Sequence, residues 1–284
     1  MSDVDPSRPW AWSWHMFDRG VLPNIFEQTT EHGQCGCCSM VATSAACSAA
    51  WAIKTARPPL DLAVQELINE VPKHYWDEVT VNPNDPCASA YTSTSFKYIK
   101  RFHIGMAGDL PYEGRPNDAE LPPNCRKLAI DNFTVFNNRT PEENSRHINN
   151  WVQVPNVRIP VMMERLYRRP LVGEFHMFPQ HFEQMQDGIY SNRTRDPHNV
   201  ELKPIAHAIL VVGMGHGPFG RDPYYICQNS FGSDWGLNGG YVRISDEEFF
   251  NFYDVKVSDV VNTGVQVIYL HQFFLRKLNR SPVT

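Results

Sequence analysis

The chain has 284 residues, 42% hydrophobic and 20% charged, enough to bury a sizeable core without covalent staples, which excludes a small cystine-rich scaffold. Its 26 Lys and Arg against 31 Asp and Glu leave a formal charge of -5, so there is no basic surface for phosphate backbones and no nucleic-acid partner is expected. With 22 Pro and 17 Gly the chain is globular and loop-rich, neither collagenous nor disordered.

The longest apolar runs, Ala45 to Ile53 and Ala206 to Val212, are of core size, far short of a membrane span, and no membrane partner is expected. Met1-Ser2-Asp3-Val4-Asp5-Pro6 is acidic and polar where a secretory signal would be basic and then apolar. The 7 Cys, three of them crowded at Cys35, Cys37 and Cys38, are poor material for an all-disulfide framework. A reducing, cytoplasmic setting is therefore expected, and a secreted or vacuolar one only if the chain is a processed form. The sequons at Asn132, Asn138 and Asn192 then read as Asn-rich loops.

In chain order, Trp10, Trp12 and Trp14 are expected to anchor the N-terminal segment on a lobe. From Gly36 to about Thr55 the residues are small and apolar, and Ala45, Ala46, Ala49, Ala50 and Ile53 recur at helical spacing, which predicts one long buried helix. Cys38 falls in or near its first turn, where free amide N–H groups and the helix dipole lower a thiol pKa. Shorter helices are predicted at Leu60–Ile68, Tyr91–Phe102 and Val161–Arg168. Between Asp109 and Asn150 five prolines predict mostly irregular chain, the crossing between lobes. Strands are predicted at Pro170–Phe175, His207–Val212, Tyr224–Cys227, Tyr241–Ile244 and Val265–Tyr269, so a helical half precedes a strand half.

Three residues carry the candidate chemistry. A thiol that attacks an amide needs an imidazole to take and return its proton, a third group to hold that imidazole, and donors for the oxyanion. Cys38 at a helix start is the candidate nucleophile, His207 at the head of a buried strand the base, and Asn229 the group that orients the ring. A metal reading of His32, Cys35, Cys37 and Cys38 is weak, because structural zinc sites use separated pairs and two adjacent cysteines strain a tetrahedron. No metal and no cofactor are expected.

The segments Gly33-Gln34-Cys35-Gly36-Cys37-Cys38, His207-Ala208-Ile209-Leu210-Val211-Val212-Gly213 and Asn229-Ser230-Phe231-Gly232-Ser233-Asp234-Trp235-Gly236 stand in the order of the papain-like, cathepsin-type cysteine peptidases, which the chain resembles. Weaker matches are Gln65-Glu66-Leu67, Pro111-Tyr112-Glu113-Gly114 and Gly188-Ile189-Tyr190. The resemblance implies an α+β fold in a single domain over 1–284, with a helical lobe over about 18–120 and a strand-rich, barrel-like lobe over 121–284, and an active-site groove between them. It implies a peptidase working through Cys38, His207 and Asn229 and an acyl-enzyme, with Phe231 shielding the His–Asn bond. Peptides or proteins would be substrates, and a protein inhibitor or regulator a further partner. Ser89, Ala90, Tyr91, Ala208 and Trp235 would bind substrate, with Trp235 also structural, and Glu174 would join Tyr91 and Ala208 at the pocket for the second residue before the scissile bond. Cys35 and Cys87 match a family disulfide, whereas the partner position for Cys125 holds Glu70.

Several positions depart from that pattern. Ser39 replaces the aromatic residue after the nucleophile, and Cys37 places a second thiol beside Cys38. The oxyanion Gln position is His32, with Gln28 or Gln34 able to substitute only if the loop is rearranged. The Gly-Gly backbone that pairs with substrate has become Ser89-Ala90. With 37 residues ahead of Cys38, no inhibitory pro-segment is expected. These departures leave a second expectation open, a weak or inactive relative that binds peptides or a protein partner in the same groove.

Overall fold

The computed structural model describes residues 8–16, 20–30, 33–82, 85–137, 153–155, 159–192, 203–237 and 239–263. Helix α1 (Cys38–Thr55) is buried along most of its length, with Met40, Ala46, Cys47, Ala49 and Ala52 fully enclosed. Its small side chains are what allow neighbouring elements to approach a helix wrapped by protein on nearly every side. Helix α3 (Thr92–Phe102) falls where the sequence places it. Helix α2 runs Val64–His74, shifted toward the C-terminus relative to the expected Leu60–Ile68. The shift has a tertiary cause: Leu60 O accepts from Ser48 Oγ at 2.6 Å, Leu62 bridges to Met106, and Ala63 N donates to Gly105 O at 3.0 Å, so this stretch is held extended. Glu66, buried on α2, takes the Gly105 N–H at 2.7 Å, Tyr98 Oη at 3.1 Å and Lys127 Nζ at 2.6 Å, tying α2 to α3 and to the strand that carries Lys127.

The strands are β1 (Trp10–Ser13), β2 (Thr29–Thr30), β3 (Gly33–Gln34), β4 (Val79–Thr80), β5 (Ser89–Ala90), β6 (Arg126–Asn137), β7 (Gln153–Pro155), β8 (Leu171–Met177), β9 (Ile189–Tyr190), β10 (Ile205–His216), β11 (Tyr224–Gln228), β12 (Tyr241–Ser245) and β13 (Phe249–Asn262). Two helices accompany them, α4 (Ile159–Arg168) and α5 (Pro179–Glu183). The main sheet runs β7-β6-β13-β8-β10-β11-β12-β9, with β1 added to β10; β2 pairs with β3 and β4 with β5.

Two long strands depart from expectation. β6 occupies part of the span read as irregular: no proline falls between Pro123 and Pro141, and Leu128, Ile130, Phe133, Val135 and Phe136 supply buried apolar surface for a 12-residue strand. β13 was not anticipated, because Asp254, Lys256 and Asp259 interrupt its alternation and two register shifts break its pairing with β6. Asp254 is tolerated there because Arg165 and Arg169 of the α4 region meet its carboxylate at 3.2 and 2.5 Å. The predicted strand Val265–Tyr269 lies outside the described residues. Asn132 sits on β6, not in a loop, Asn192 is bonded to Tyr190 and Glu248, and Asn138 is outside the described residues.

Strand β10 positions the site. Its period-two alternation sends Ala208, Leu210 and Val212 into the core shared with α1, α2 and α3, and Ile209 and Val211 into a second core with Phe175, Phe182 and Tyr225. β1 lies along the free edge of β10 from Trp10↔His216 to Ser13↔Gly213, and Trp14 Nε1 donates to Leu166 O at 2.7 Å, so the N-terminal tryptophans do anchor their segment. Gly213 has no room for a side chain, since a Cβ there would lie 2.3 Å from Trp12 O. Gly213→Ala is expected to push β1 off β10 and cost about 1–3 kcal/mol of overpacking strain, read as a lower chemical-denaturation midpoint; an unchanged midpoint would show that β1 adds nothing to the sheet.

Candidate active site

Cys38 is the first residue of α1, and Cys37 stands at its N-cap. Cys37 is fully buried against Tyr112 Oη at 3.7 Å, and burial pushes its thiol up to about 12. Cys38 is half-buried, and its thiol receives the N–H groups of Ala208 and Ser39. Enclosure by protein outweighs those donors and holds the Cys38 pKa above the ordinary thiol value, the reverse of what its helix-start position alone suggests. Of the two adjacent thiols, Cys38 is the one that meets the strand carrying His207.

Behind this turn, Cys35 and Cys87 form a disulfide, with Cα atoms 5.1 Å apart, as the resemblance implies. The bridge ties the segment ahead of α1 to the segment ahead of β5. It also removes one thiolate from the His32, Cys35, Cys37 and Cys38 cluster. Ser39, standing where an aromatic residue was expected, donates its hydroxyl to Ala90 O at 2.7 Å and ties the start of α1 to β5.

His207 is 3% exposed, and its Nε2 lies 2.9 Å from Asn229 Oδ1. A carboxamide oxygen only accepts, so Nε2 carries the proton and Nδ1 is the nitrogen left with a lone pair. Three rings enclose the imidazole: Phe231 at 5.5 Å, Phe182 at 5.7 Å and Phe175 at 5.7 Å between centroids. Burial in this apolar box pushes the His207 pKa down to about 4, against a smaller upward pull from Asn229. Phe231 thus packs on the His207 ring, whereas Phe175 and Phe182 went unnoticed, since nothing in their local pattern separates a ring that meets His207 from an ordinary core ring. Trp235 is partly buried against Phe231 and Phe182, both at 5.2 Å, and its Nε1 donates to Glu183 O at 2.9 Å.

Of the three oxyanion candidates, His32 is outside the described residues, and Gln34 lies on β3 beyond the base of a short hairpin with β2. Gln28 stands at that base: it receives the Cys35 N–H at its carbonyl, also takes Tyr112 Oη there at 2.8 Å, and donates its own N–H to Ser230 O at 2.9 Å. Its side-chain oxygen accepts from Ser230 Oγ at 2.7 Å, which leaves the amide NH2 group as its remaining donor. Gln28 and Cys35 therefore flank the paired strands β2 and β3.

The remaining candidates separate by exposure. Tyr91 is 59% exposed ahead of α3, Ser89 and Ala90 form half-buried β5, and Ala208 is buried with its amide toward Cys38. Glu174 is opposite Ala208 in the β8–β10 register, and its carboxylate takes Thr92 N–H at 3.4 Å, Asn251 Nδ2 at 2.6 Å and Tyr253 Oη at 2.9 Å. No helix among the described residues is long and apolar enough to cross a membrane.

Residues 15–261 match the family described as papain family cysteine protease, and the chain belongs to it. Pro-cathepsin H of Bos taurus is 27% identical over 223 residues, which cover 77% of this chain and 56% of the bovine protein. Cathepsin Z of Onchocerca volvulus is 24% identical over 262 residues, 88% of this chain and 76% of that protein. The chain spans about half the length of the bovine protein and of the rice oryzain gamma chain it also matches. Among solved structures, a cysteine protease of Carica candamarcensis in complex with E-64 superposes with a TM-score of 0.57 at 20% identity, over 87% of this chain and 97% of that one. Procathepsin L2 of Tenebrio molitor gives 0.62 at 19% identity, over 90% and 69%. The α+β, papain-like fold is thereby established.

The buried imidazole has a measurable consequence. The folded His207 pKa, about 4, is below the ordinary 6.5, so between these values the unfolded chain binds a proton that the folded chain refuses. In a Cys38→Ala background, which removes the thiol's own titration, the His207 contribution to stability should be constant above pH 6.5, fall by about 3 kcal/mol as pH drops to 4, and change no further. Urea unfolding across that range should show this slope, and His207→Asn should flatten it; equal slopes in the two proteins would mean that His207 is not buried neutral.

Proposed function

We propose that the protein is a cysteine peptidase in which Cys38 is the nucleophile, His207 the proton carrier and Asn229 the group that orients it. The observation that carries the reading is the buried His207–Asn229 hydrogen bond, which fixes the ring with Nδ1 unprotonated on the strand that meets the Cys38 thiol. Catalysis starts when the thiol proton moves to Nδ1. The thiolate sulfur then bonds to the scissile carbonyl carbon, the imidazolium returns its proton to the leaving amine as the C–N bond breaks, and water, deprotonated by His207, hydrolyses the thioester.

For the oxyanion we favour Gln28 over His32. Its side-chain oxygen is anchored by Ser230 next to Asn229, its main chain is pinned to Cys35, and its amide NH2 supplies a donor without any titration. The Cys38 N–H, free of an intrahelical partner at the first residue of α1, is the second donor.

The alternative, a groove that binds peptides without cleaving them, draws support from Ser89-Ala90 in place of two glycines and from Ser39 already occupying Ala90 O. E-64, the ligand in the Carica structure, separates the readings. Incubation should place one E-64 on Cys38, found by peptide mass mapping, and Cys38→Ala should abolish both labelling and peptide hydrolysis. Gln28→Ala should lower kcat by about 10²–10³ while His32→Ala changes it little. Folded, reduced protein that is neither labelled nor active would leave the binding reading, and the opposite order of the two oxyanion variants would return that role to His32.

A further inference from the structure

Outside the Cys–His–Asn set, one carboxylate grips the turn that delivers the nucleophile. Asp85 Oδ1 accepts the Gly36 N–H at 3.0 Å and the Cys87 N–H at 2.8 Å. Gly36 follows Cys35, and Cys87 is the disulfide partner of Cys35, so the carboxylate bridges the same two segments that the sulfurs join. The approach is close enough that a Cβ on Gly36 would fall 2.2 Å from Asp85 Oδ2 and 2.6 Å from Ser89 Oγ, so glycine at position 36 is the counterpart of Asp85. Two residues on, the chain enters α1 at Cys38. The negative charge also reaches the site, raising the pKa of Cys37, Cys38 and Tyr112.

We propose that Asp85 is a positioning residue for the nucleophile turn, holding Gly36 to Cys38 by charge-assisted hydrogen bonds that survive reduction of the Cys35–Cys87 bridge. The inference rests on the peptidase reading and adds to it a reason for the doubled restraint. Chemistry at Cys38 needs a free thiol, and any thiol reductant that keeps it free also attacks the neighbouring disulfide by exchange. A carboxylate accepting two backbone N–H groups is indifferent to redox state. The disulfide and Asp85 therefore restrain one turn by two independent means.

The test compares wild type, Asp85→Asn and Asp85→Ala, each also combined with Cys35→Ser and Cys87→Ser as a permanently unbridged form. Asn keeps an acceptor oxygen and loses the charge, whereas Ala loses both. In the unbridged form, Asp85→Ala should lower kcat by a further factor of about 10–100 with KM changed only slightly, and Asp85→Asn should restore most of that loss. Iodoacetamide alkylation of Cys38, followed against pH, should shift to lower pH in both Asp85 variants. The other groups facing the thiol, Glu174 on β8, His207 on β10, Cys37 on its own turn and Tyr112 behind it, are unchanged in all of them. If the unbridged variants fail to fold, hydrogen exchange at the Gly36 amide in bridged Asp85→Ala should be faster than in wild type. Asp85→Ala that matches its parent in kcat, alkylation profile and Gly36 exchange, or that Asp85→Asn does not improve upon, overturns the inference. Wild type that E-64 fails to label sinks the peptidase reading instead, and alkylation and Gly36 exchange still decide the part assigned to Asp85.

Discussion

A buried hydrogen bond from His207 Nε2 to Asn229 Oδ1, closed off by three phenylalanine rings, is the constraint from which the rest of the site takes its geometry. An isolated imidazole inside apolar walls would have two tautomers and several ring orientations. Asn229 removes that freedom, because only one nitrogen can donate to its oxygen. The same walls disfavour the imidazolium, so the ring is poised to be charged only when a thiolate stands beside it. Burial that raises the thiol and lowers the imidazole leaves a neutral pair one proton transfer away from an ion pair.

The opposite wall shows how a half-buried thiol can be held still. The turn through Cys35 to Cys38 is fixed by the disulfide, by Asp85 on the Gly36 amide and by the Ser39 hydroxyl on Ala90 O. Gln28 extends that frame: Tyr112 and Cys35 hold its carbonyl, and Ser230 holds its side chain. Ser230 is the residue after Asn229, so the oxyanion candidate and the ring-orienting amide are joined through one short segment. Movement of the Asn229 segment would disturb the base and the proposed oxyanion donor together.

Much of this was legible in the sequence because it is written in local signals. The alanines of α1 repeat at helical spacing, the middle of β10 from Ala208 to Val212 reads as an apolar run, and the motifs around Cys38, His207 and Asn229 stand in family order. What escaped depends on partners distant in sequence. β13 hides behind charges such as Asp254, which Arg165 and Arg169 neutralise, and α2 begins late because Gly105 and Met106 hold the residues before it. The aromatic box around His207 draws on Phe175 and Phe182 besides Phe231, and neither of those two shows its partner in local pattern. Which side chain faces the oxyanion is not written in local pattern either, because the partners that hold Gln28, Cys35 and Ser230, come from other segments.

The most direct test of the account is the protonation state of His207 itself, read from ring-nitrogen NMR shifts in Cys38→Ala between pH 3 and pH 8. The account requires a neutral ring at pH 6, protonated on Nε2 and bare on Nδ1, that becomes imidazolium only near pH 4, and an Asn229→Ala variant in which the single tautomer is lost. An imidazolium that persists to pH 6 or above, or a ring protonated on Nδ1 instead, would contradict it.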